Sequence, residues 1–528
     1  MSDRPNILHI FVDQQRWDTI AALGNPVIRT PNLDRLCREG VAFTSAYSPC
    51  PVCVPARASM VHGLEPHQTG YYENCCANNE IRVEELETFM HGLTAAGYRT
   101  HGVGKCHFMP DKDALRGFQT RLQQEGGNKL GCTKNDRGRA RNDYTIWLES
   151  QGIGIDEDDA VGAGSEMYFI PQPCTLPAKY HPSQWVGDKS VEFLCEEARK
   201  NQPWYLFSSF LHPHPPFTPP YPWNHLYRAY DMPLPFVPQD SPTLWTYVNR
   251  VQNRYKGRSN GIDQNLFRCI LAYYYACISF IDYQVGRLLE TLEQTHQLDN
   301  TLVMFTGDHG DLMGDYDCVG KRSWLDASAR VPMVVRQPGR FEGGRTCDTP
   351  VSLLDVAPTF LATGNGRINT HELPGVDLAE VATGTCGREM IFGQHAYTWP
   401  VNLAKSRYVP RYDDPLVEIA AVSSYMSLSN HWKYFYSAID DREFLFDRQL
   451  DPRETRNRAG VPQHAETQQR MKAALIEHLR AGGETAGIEG DDWKRFPACR
   501  LEEDPDAAIF INQHEPDLSK FLPKEYLD

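Results

Sequence analysis

The sequence has no long apolar run, no internal repeat and no low-complexity tract. Its 528 residues include 53 Lys and Arg against 68 Asp and Glu, which gives a formal net charge of −15. This shortage of positive charge argues against nucleic acid as a main partner, because phosphate backbones need a basic face. No stretch approaches membrane-spanning length, and the apolar run at 6–12 is too short for a signal segment. We therefore expect a cytoplasmic protein with no membrane partner.

The 15 cysteines do not indicate a disulfide framework, because their number is odd. In a reducing compartment such residues are mostly free, buried thiols. The chain is long enough for one large domain and a smaller one. Its negative net charge means that any anionic ligand must be held by local cations.

Apolar strands alternate with helical patterns through the first two thirds of the chain. The sequence predicts buried strands at 6–12, 98–103, 204–210, 301–305 and 331–335. It predicts helices after Thr30-Pro31 and over 83–93, 191–198 and 278–289. Residues 110–180 are predicted to form surface loops, with one short helix at 144–148. This order is typical of an α/β domain with a large mixed, mostly parallel sheet and helices on both faces, which we place at 1–379.

The pattern changes after Pro374-Gly375. Short antiparallel strands are predicted at 390–392, 418–422, 423–428 and 432–436, followed by a helix at 467–479. We therefore predict a smaller C-terminal α+β domain with an antiparallel sheet at 380–490. The tail at 491–528 is acidic and without periodicity, so it is either an arm that packs on a neighbouring subunit or a loose end.

A reactive cysteine is predicted at the start of a helix. Pro55 suits the first helical position, the run to His62 has no helix breaker, and Gly63 can end it. Cys53 then lies just before the helix N-terminus, where unpaired N–H groups favour negative charge. Arg57, one turn on, can point back to the same place.

Two acidic residues follow apolar strands that are expected to share one sheet. Asp13 and Asp308 follow the predicted strands at 6–12 and 301–305, and the next residues, Gln14 and His309, can also bind a metal ion. Ligands of α/β sheets bind at the carboxyl ends of strands. Two carboxylates, an imidazole and an amide make a site for a hard divalent cation. Taken singly, the same residues are also typical of helix caps and turns.

These stretches together resemble one known family. C-x-P-x-R at Cys53 to Arg57, with T-G after the helix, is similar to the formylglycine-dependent sulfatases and the related phosphonate monoester hydrolases of the alkaline phosphatase superfamily. Further matching stretches run in the same order through the chain: Asp13-Gln14, G-K-C-H at 104–107, P-H-P-P at 213–216, D-Y-Q-V-G-R at 282–287, D-H-G at 308–310, and L-F-D with D-P-R-E at 445–454. The resemblance implies an alkaline phosphatase-like fold.

The resemblance implies a nucleophile and a metal site. Cys53 is expected to be oxidised to formylglycine by a formylglycine-generating enzyme, and its hydrated form attacks the substrate. One divalent metal ion, Ca²⁺ or alternatively Mn²⁺, is expected to be bound by the residues Asp13, Gln14, Cys53, Asp308 and His309.

The resemblance also implies roles for the remaining polar residues. Lys105, His214 and Lys321 are expected to hold the oxygens of the substrate, and Lys321 with His214 donates to the leaving group. His107 takes a proton when the intermediate collapses. Asn74 is expected to hydrogen-bond the substrate, and Arg57 belongs to the catalytic set.

The implied activity is hydrolysis of a small anionic ester, either an aryl sulfate or an alkyl or choline-type sulfate. Phosphonate monoester or phosphodiester hydrolysis with the same nucleophile is the alternative. Some relatives associate through their tails, so a homo-oligomer, a dimer or tetramer, is expected.

Three other classes remain open at this point. Cys50 and Cys53 form C-x-x-C ahead of a helix, which is the arrangement of a dithiol redox site. Cys50, Cys53, Cys75 and Cys76 could hold zinc, although adjacent cysteines are poor ligand spacing. An unmodified Cys53 would leave a non-catalytic anion-binding protein.

Overall fold

The computed structural model describes residues 4–74, 76–77, 83–124, 142–154, 171–257, 263–397, 412 and 414–501. In chain order the strands are β1 (Asn6–Val12), β2 (Val41–Phe43), β3 (Ala46–Tyr47), β4 (Tyr71–Glu73), β5 (Cys76–Ala77), β6 (Arg99–Gly104), β7 (Thr120–Gln123), β8 (Trp204–Phe210), β9 (Thr301–Gly307), β10 (Met333–Arg336), β11 (Arg345–Cys347), β12 (Val351–Ser352), β13 (Ile391–Ala396), β14 (Ser423–Leu428), β15 (Trp432–Ser437), β16 (Arg442–Asp447), β17 (Ile488–Glu489) and β18 (Asp492–Trp493). The helices are α1 (Pro31–Glu39), α2 (Cys53–His62), α3 (Pro66–Thr69), α4 (Phe89–Ala95), α5 (Asp143–Ser150), α6 (Pro182–Glu197), α7 (Tyr247–Gly257), α8 (Gln264–Gln294), α9 (Asp326–Ala329), α10 (Val356–Gly364), α11 (Leu378–Thr383), α12 (Pro415–Ala421) and α13 (Ala465–Ala481).

An eight-stranded sheet forms the centre of the larger part, in the order β11-β2-β10-β9-β1-β8-β6-β7. β1 pairs in parallel with both β8 and β9, and β6 pairs in parallel with β7 and β8. Only β10 runs antiparallel to its neighbours β2 and β9 within this sheet. The predicted mixed, mostly parallel sheet is therefore confirmed.

Side chains of the central strands alternate between two hydrophobic cores, because successive residues of a strand point to opposite faces. Ile7 and Phe11 of β1 pack on one face with residues of α2, α4, α10 and α11. Leu8, Ile10 and Val12 pack on the other face with residues of α1, α6 and α8. Helices thus cover both faces, and every residue of β1 is buried.

A second, antiparallel sheet follows in the order β13-β14-β15-β16. Its aromatic residues Tyr425, Tyr434 and Tyr436 pack against Leu475 and Leu479 of α13. The smaller α+β part with an antiparallel sheet is therefore confirmed, whereas the boundaries at 379 and 490 stay predictions. Among the described residues, no helix combines the length and apolar character that crossing a membrane requires.

The second part contains one wrong prediction. Residues 418–422 were expected to form a strand, but 418–421 belong to α12, which starts at Pro415, and residue 422 caps its C-terminal end. The Asp414 side chain accepts a hydrogen bond from Leu416 N at 2.9 Å and caps the helix. Asp-Pro is a helix-start signal, and it outweighs the apolar run that follows it.

Other elements differ in extent or were not predicted. The helix expected over 83–93 is split, because Thr88 adopts an extended backbone and caps α4. Ten of the described strands were not predicted from sequence: β2, β3, β4, β5, β7, β11, β12, β16, β17 and β18. Cys75 of the zinc hypothesis and the tail from 502 lie outside the described residues.

Candidate active site

Two carboxylates meet at the carboxyl end of the central sheet. Asp13 follows β1 and Asp308 follows β9, and the last residues of these paired strands, Val12 and Gly307, are register partners. Both carboxylates are fully buried. The chain turns sharply at Gln14, whose φ of 65° lies in the left-handed region. Asp308 holds this turn, because its Oδ1 accepts from Gln14 N at 3.0 Å.

Cys53 is the first residue of α2 rather than the residue before it, so the helix begins earlier than predicted. Pro55 is tolerated because it still lies in the first turn, where its missing N–H is not needed. The sulfur of Cys53 lies 3.2 Å from His309 Nε2 and 3.6 Å from Asp13 Oδ1. The cysteine is thus both buried at a helix N-terminus and in contact with the strand-end cluster.

Arg57, one helical turn after the cysteine, braces the two carboxylates. Its Nε donates to Asp308 Oδ2 at 2.9 Å, and a terminal nitrogen lies 3.3 Å from Asp13 Oδ2. The other terminal nitrogen donates to Lys105 O at 2.7 Å and Ser209 Oγ at 3.2 Å. Lys105 Nζ itself lies 2.6 Å from Asp13 Oδ2. The buried acids are therefore matched by two buried cations.

The ammonium of Lys321 lies between three potential ligand atoms. Its Nζ is 2.8 Å from Cys53 Sγ, 3.0 Å from Gln14 Oε1 and 3.2 Å from His309 Nε2. The lysine is buried. A positive charge therefore occupies the space toward which these donor atoms converge.

The charges around the cluster favour anions at its centre. Burial raises the pKa of Asp13, but Lys105, Arg57 and neighbouring cations lower it well below its usual value. Burial and Asp13 raise the pKa of the Cys53 thiol, whereas Lys321 and Lys105 lower it, and the net pKa is below the ordinary one. A residue at position 53 is thus held where negative charge is stabilised.

Two histidines present Nε2 to this centre because their other nitrogen is engaged. His309 Nδ1 lies 2.9 Å from Gly310 O, and His214 Nδ1 lies 2.7 Å from Pro215 O. Burial lowers the pKa of each to about 4. Neutral rings that donate through Nδ1 carry a lone pair on Nε2.

His107 lies in the loop after β6, and the same loop carries Lys105. Burial, together with the Lys105 and Lys112 charges, lowers the pKa of His107 well below its usual value. The ring is therefore neutral. Lys112 was not singled out from the sequence.

Four donor groups could hold a metal ion together, and their ligand atoms lie within 4.8 Å of one another: Asp13, Cys53, Asp308 and His309. The residues fit a divalent cation, since the Lys321 ammonium already contacts His309 Nε2 and Cys53 Sγ as a cation would. Gln14 Oε1, also on that ammonium, offers a further oxygen. All five metal ligands proposed from sequence therefore come together.

Asn74 is placed at the same helix N-terminus. Its Oδ1 accepts from Val54 N at 3.0 Å, which satisfies one of the unpaired N–H groups of α2. Its own backbone N–H donates to Glu73 Oε1 at 2.8 Å. The proposed contact of Asn74 with substrate stays a prediction.

Sequence reasoning missed the residues that hold Lys321. Asp311 is fully buried and accepts from Gln14 Nε2 and from Gly320 N, the latter at 3.1 Å. Gln252 on α7 bonds both the N–H and the carbonyl of Lys321. Asp311 follows the D-H-G stretch directly, so its position beside this motif could have identified it as a residue of the site. Nothing in the sequence around Gln252 indicated its role.

A buried ion pair joins the Lys321 loop to the Cys53 region. Arg322 Nε and a terminal nitrogen lie 2.5 and 2.6 Å from the two carboxylate oxygens of Glu73. Arg322 N also donates to Pro51 O at 3.2 Å. The lysine is therefore fixed relative to α2 through its neighbour in sequence.

Replacing Arg322 with methionine is expected to lower the free energy of unfolding by about 3–5 kcal/mol, because the Glu73 carboxylate would stay buried without its cation. Chemical denaturation followed by circular dichroism measures this. Arg345→Met is the control, since Arg345 and its partner Glu342 are 49% and 78% exposed and such a pair is worth about 0–1 kcal/mol. Equal effects of the two substitutions would contradict the assignment.

Known proteins resemble this chain in sequence and in fold. The family model described as "Sulfatase" matches residues 5–366, and the model "N-sulphoglucosamine sulphohydrolase, C-terminal" matches 314–481. An arylsulfatase of Clostridium perfringens is 29% identical over 520 residues, covering 94% of this chain and 99% of its own. A choline-sulfatase of Rhizobium meliloti is 30% identical over 477 residues, covering 87% and 83%. The crystal structure of a phosphonate monoester hydrolase of Agrobacterium radiobacter is similar in fold, with a TM-score of 0.73 and 24% identity, covering 92% and 98%.

Proposed function

The chain belongs to the sulfatase family and is a sulfuric ester hydrolase, and we propose that it cleaves small sulfate monoesters. The proposed nucleophile is a formylglycine formed from Cys53. The substrates are esters of phenols or of alkyl alcohols, choline included. The observation that carries the proposal is the Cys53 sulfur held 2.8 Å from Lys321 and 3.2 Å from His309 at a helix N-terminus. Oxidation of this residue by a formylglycine-generating enzyme replaces the thiol with an aldehyde.

The reaction splits hydrolysis into two steps. Addition of one water molecule to the aldehyde gives two hydroxyl groups on one carbon. One hydroxyl oxygen forms a bond to sulfur while the ester oxygen leaves as the alcohol with a proton. The second hydroxyl then loses its proton, the C=O bond re-forms, and the C–O bond to sulfate breaks. One water is consumed and sulfate is released.

The chain's own charges suit a tetrahedral anion. Arg57, Lys105 and Lys321 are three positive charges against the two negative charges of Asp13 and Asp308, so the excess is +1. A bound divalent cation would raise this excess to +3, polarise the ester and lower the pKa of a hydroxyl group. These charges offset the unfavourable net charge of −15.

Roles in proton transfer are proposed for three groups. His107 is proposed to take the proton of the second hydroxyl, since its ring is neutral. Lys321 Nζ lies 2.8 Å from Cys53 Sγ, and it is proposed to donate a proton to the ester oxygen that leaves. His214, whose Nδ1 is engaged by Pro215 O, is proposed to orient the ester oxygen.

The metal would be bound by carboxylate oxygens, an amide oxygen and one imidazole. Oxygen ligands suit Ca²⁺, whereas His309 offers a nitrogen whose orientation is fixed by the Nδ1 contact to Gly310 O. Imidazole favours a transition metal. We therefore propose Mn²⁺ as the better match of the two cations.

Phosphonate monoester or phosphodiester hydrolysis is the second candidate. The excess positive charge suits either tetrahedral anion, and Asn74 has the spacing from Cys53 that is found in the phosphonate-cleaving branch. Comparison of kcat/KM for 4-nitrophenyl sulfate and 4-nitrophenyl phenylphosphonate tests the preference. A higher value for the phosphonate would reverse the order of the two functions.

A homo-oligomer, a dimer or tetramer joined by the C-terminal tail, is also proposed. The cut that tests it must follow residue 501, because Phe496 is buried in the core around α13. In gel filtration, the full-length and the shortened chain should then elute at different volumes.

A cytoplasmic location stays a prediction.

The modification of Cys53 can be measured directly. In protein made with the formylglycine-generating enzyme, the tryptic peptide from Glu39 to Arg57 should be lighter than its thiol form by roughly the mass of one water molecule. Fragmentation should place the change at Cys53, while Cys50 in the same peptide keeps its thiol as internal control. If active protein carries unmodified thiols at both Cys50 and Cys53, the proposed nucleophile is wrong.

A further inference from the structure

Asp311 receives hydrogen bonds from three donors, one in its own segment and two from Gln14 and Gly320. Its Oδ2 accepts from Gln14 Nε2, and its Oδ1 accepts from Met313 N at 2.8 Å and from Gly320 N at 3.1 Å. The side chain is fully buried. An ionised carboxylate only accepts, so all three contacts are satisfied at once.

The contact with Asp311 decides which way the Gln14 amide points. The carboxylate can only accept, so the amide nitrogen must face it. The amide oxygen then faces Lys321 Nζ at 3.0 Å, and that ammonium can only donate. The backbone of Gln14 is held as well, by Asp308 Oδ1 on its N–H and Tyr274 OH on its carbonyl at 2.8 Å.

The second oxygen of Asp311 holds the loop that carries Lys321. Gly320 precedes the lysine, and its N–H is bound by the carboxylate while its carbonyl accepts from Leu312 N at 2.7 Å. The loop is thus fastened just before the lysine by Asp311, and Gln252 binds the lysine backbone itself.

We propose that Asp311 is a positioning residue that orients Gln14 and Lys321 together, so that one carboxylate sets a metal ligand and a substrate-facing cation. The inference rests on the sulfatase function proposed above. Asp311 touches neither the metal nor the substrate in this assignment. Its effect on the metal passes through Gln14, and its effect on the ester passes through Lys321.

An asparagine in place of Asp311 cannot replace the carboxylate. It has one accepting oxygen and one donating NH₂ group. If the oxygen faces Gln14, the NH₂ group faces the N–H groups of Met313 and Gly320. If it is turned round, the NH₂ group faces Gln14 Nε2, which drives that amide to turn its nitrogen toward the metal site.

The test is a titration of MnCl₂ into the chelator-treated full-length protein, with free Mn²⁺ followed by electron paramagnetic resonance. Asp311→Asn should weaken Mn²⁺ binding by about 10–100-fold, the usual effect of removing a residue that orients a metal ligand. Unchanged affinity in this variant overturns the proposal, and so does a parent protein that binds no Mn²⁺.

A double substitution separates positioning from a general loss of structure. In Gln14→Glu alone, two carboxylates face each other and binding should weaken. In Gln14→Glu/Asp311→Asn the amide and the carboxylate have exchanged places. The NH₂ group of the introduced asparagine can then donate to the introduced glutamate, and the amide oxygen of that asparagine can accept from Gly320 N. Affinity should then recover to within a few-fold of the parent, and a double variant weaker than either single variant overturns the proposal.

Asp355→Asn is the matched control. Asp355 is equally buried and accepts from Ser352 N at 2.8 Å, Val376 N at 2.9 Å and the guanidinium of Arg388. Its loss should lower stability and leave Mn²⁺ affinity unchanged. The titration needs neither substrate nor modified Cys53, so a parent protein that binds Mn²⁺ but does not cleave sulfate esters contradicts only the proposed function.

Discussion

Replacing Cys53 with serine should leave an enzyme that cleaves one ester per molecule and then stops. The serine hydroxyl lies where the formylglycine hydroxyl is expected and can form a bond to sulfur while the alcohol leaves. Its carbon carries no second hydroxyl, so a C=O bond cannot form and the sulfate stays attached. Steady-state turnover should fall on the order of 10⁶-fold, the loss that follows removal of a covalent nucleophile.

Rapid-quench measurement of alcohol release tests this prediction, in protein made without the formylglycine-generating enzyme so that serine stays unmodified. One equivalent of alcohol and a mass gain of one sulfuryl group on the peptide 39–57 are expected. Cys50→Ser, produced with that enzyme, is the control. Cys50 is buried and its sulfur donates to Tyr72 O at 3.8 Å, so its loss should spare hydrolysis. Under the dithiol redox hypothesis the same substitution would abolish redox function.

The position of the candidate site could be predicted from sequence because strand ends and helix starts leave local signals. Asp13 and Asp308 follow apolar runs, and such runs become neighbouring parallel strands whose ends meet at one edge. Pro55 and Gly63 mark the helix that begins with Cys53. The roles of Lys105 and Lys321 came only from the family resemblance, since a lone lysine in a sequence is usually a surface residue.

The supporting residues could not be predicted, because their partners are distant in sequence. Gln252 bonds Lys321 from α7, 69 residues away, and Glu73 meets Arg322 across 249 residues. Such contacts depend on how loops pack over the sheet, and no periodic pattern records them. They hold the Lys321 backbone and the neighbouring Arg322 in place.

Two lysines contact different groups of the site, Lys105 the Asp13 carboxylate and Lys321 the Cys53 sulfur, and their removal should affect different substrates. Lys321 Nζ lies on Cys53 Sγ and can donate a proton, whereas the Nδ1 of His214 is already 2.7 Å from Pro215 O. Lys321→Ala should therefore lower kcat/KM by about 10²–10⁴-fold for esters of alkyl alcohols, which need a proton to leave. The loss should be much smaller for 4-nitrophenyl sulfate, because nitrophenolate leaves unprotonated.

Lys105→Ala supplies the comparison, because Lys105 Nζ pairs with Asp13 at 2.6 Å and its proposed role is to stabilise the charge of the sulfuryl group. Its loss should reduce kcat/KM by a similar factor for every ester in a series from 4-nitrophenyl sulfate to alkyl sulfates. Plots of log kcat/KM against the pKa of the leaving alcohol measure the difference. Lys321→Ala should steepen the slope, and Lys105→Ala should shift the line without tilting it. Parallel lines for both variants would mean that Lys321 binds charge but does not protonate the leaving group.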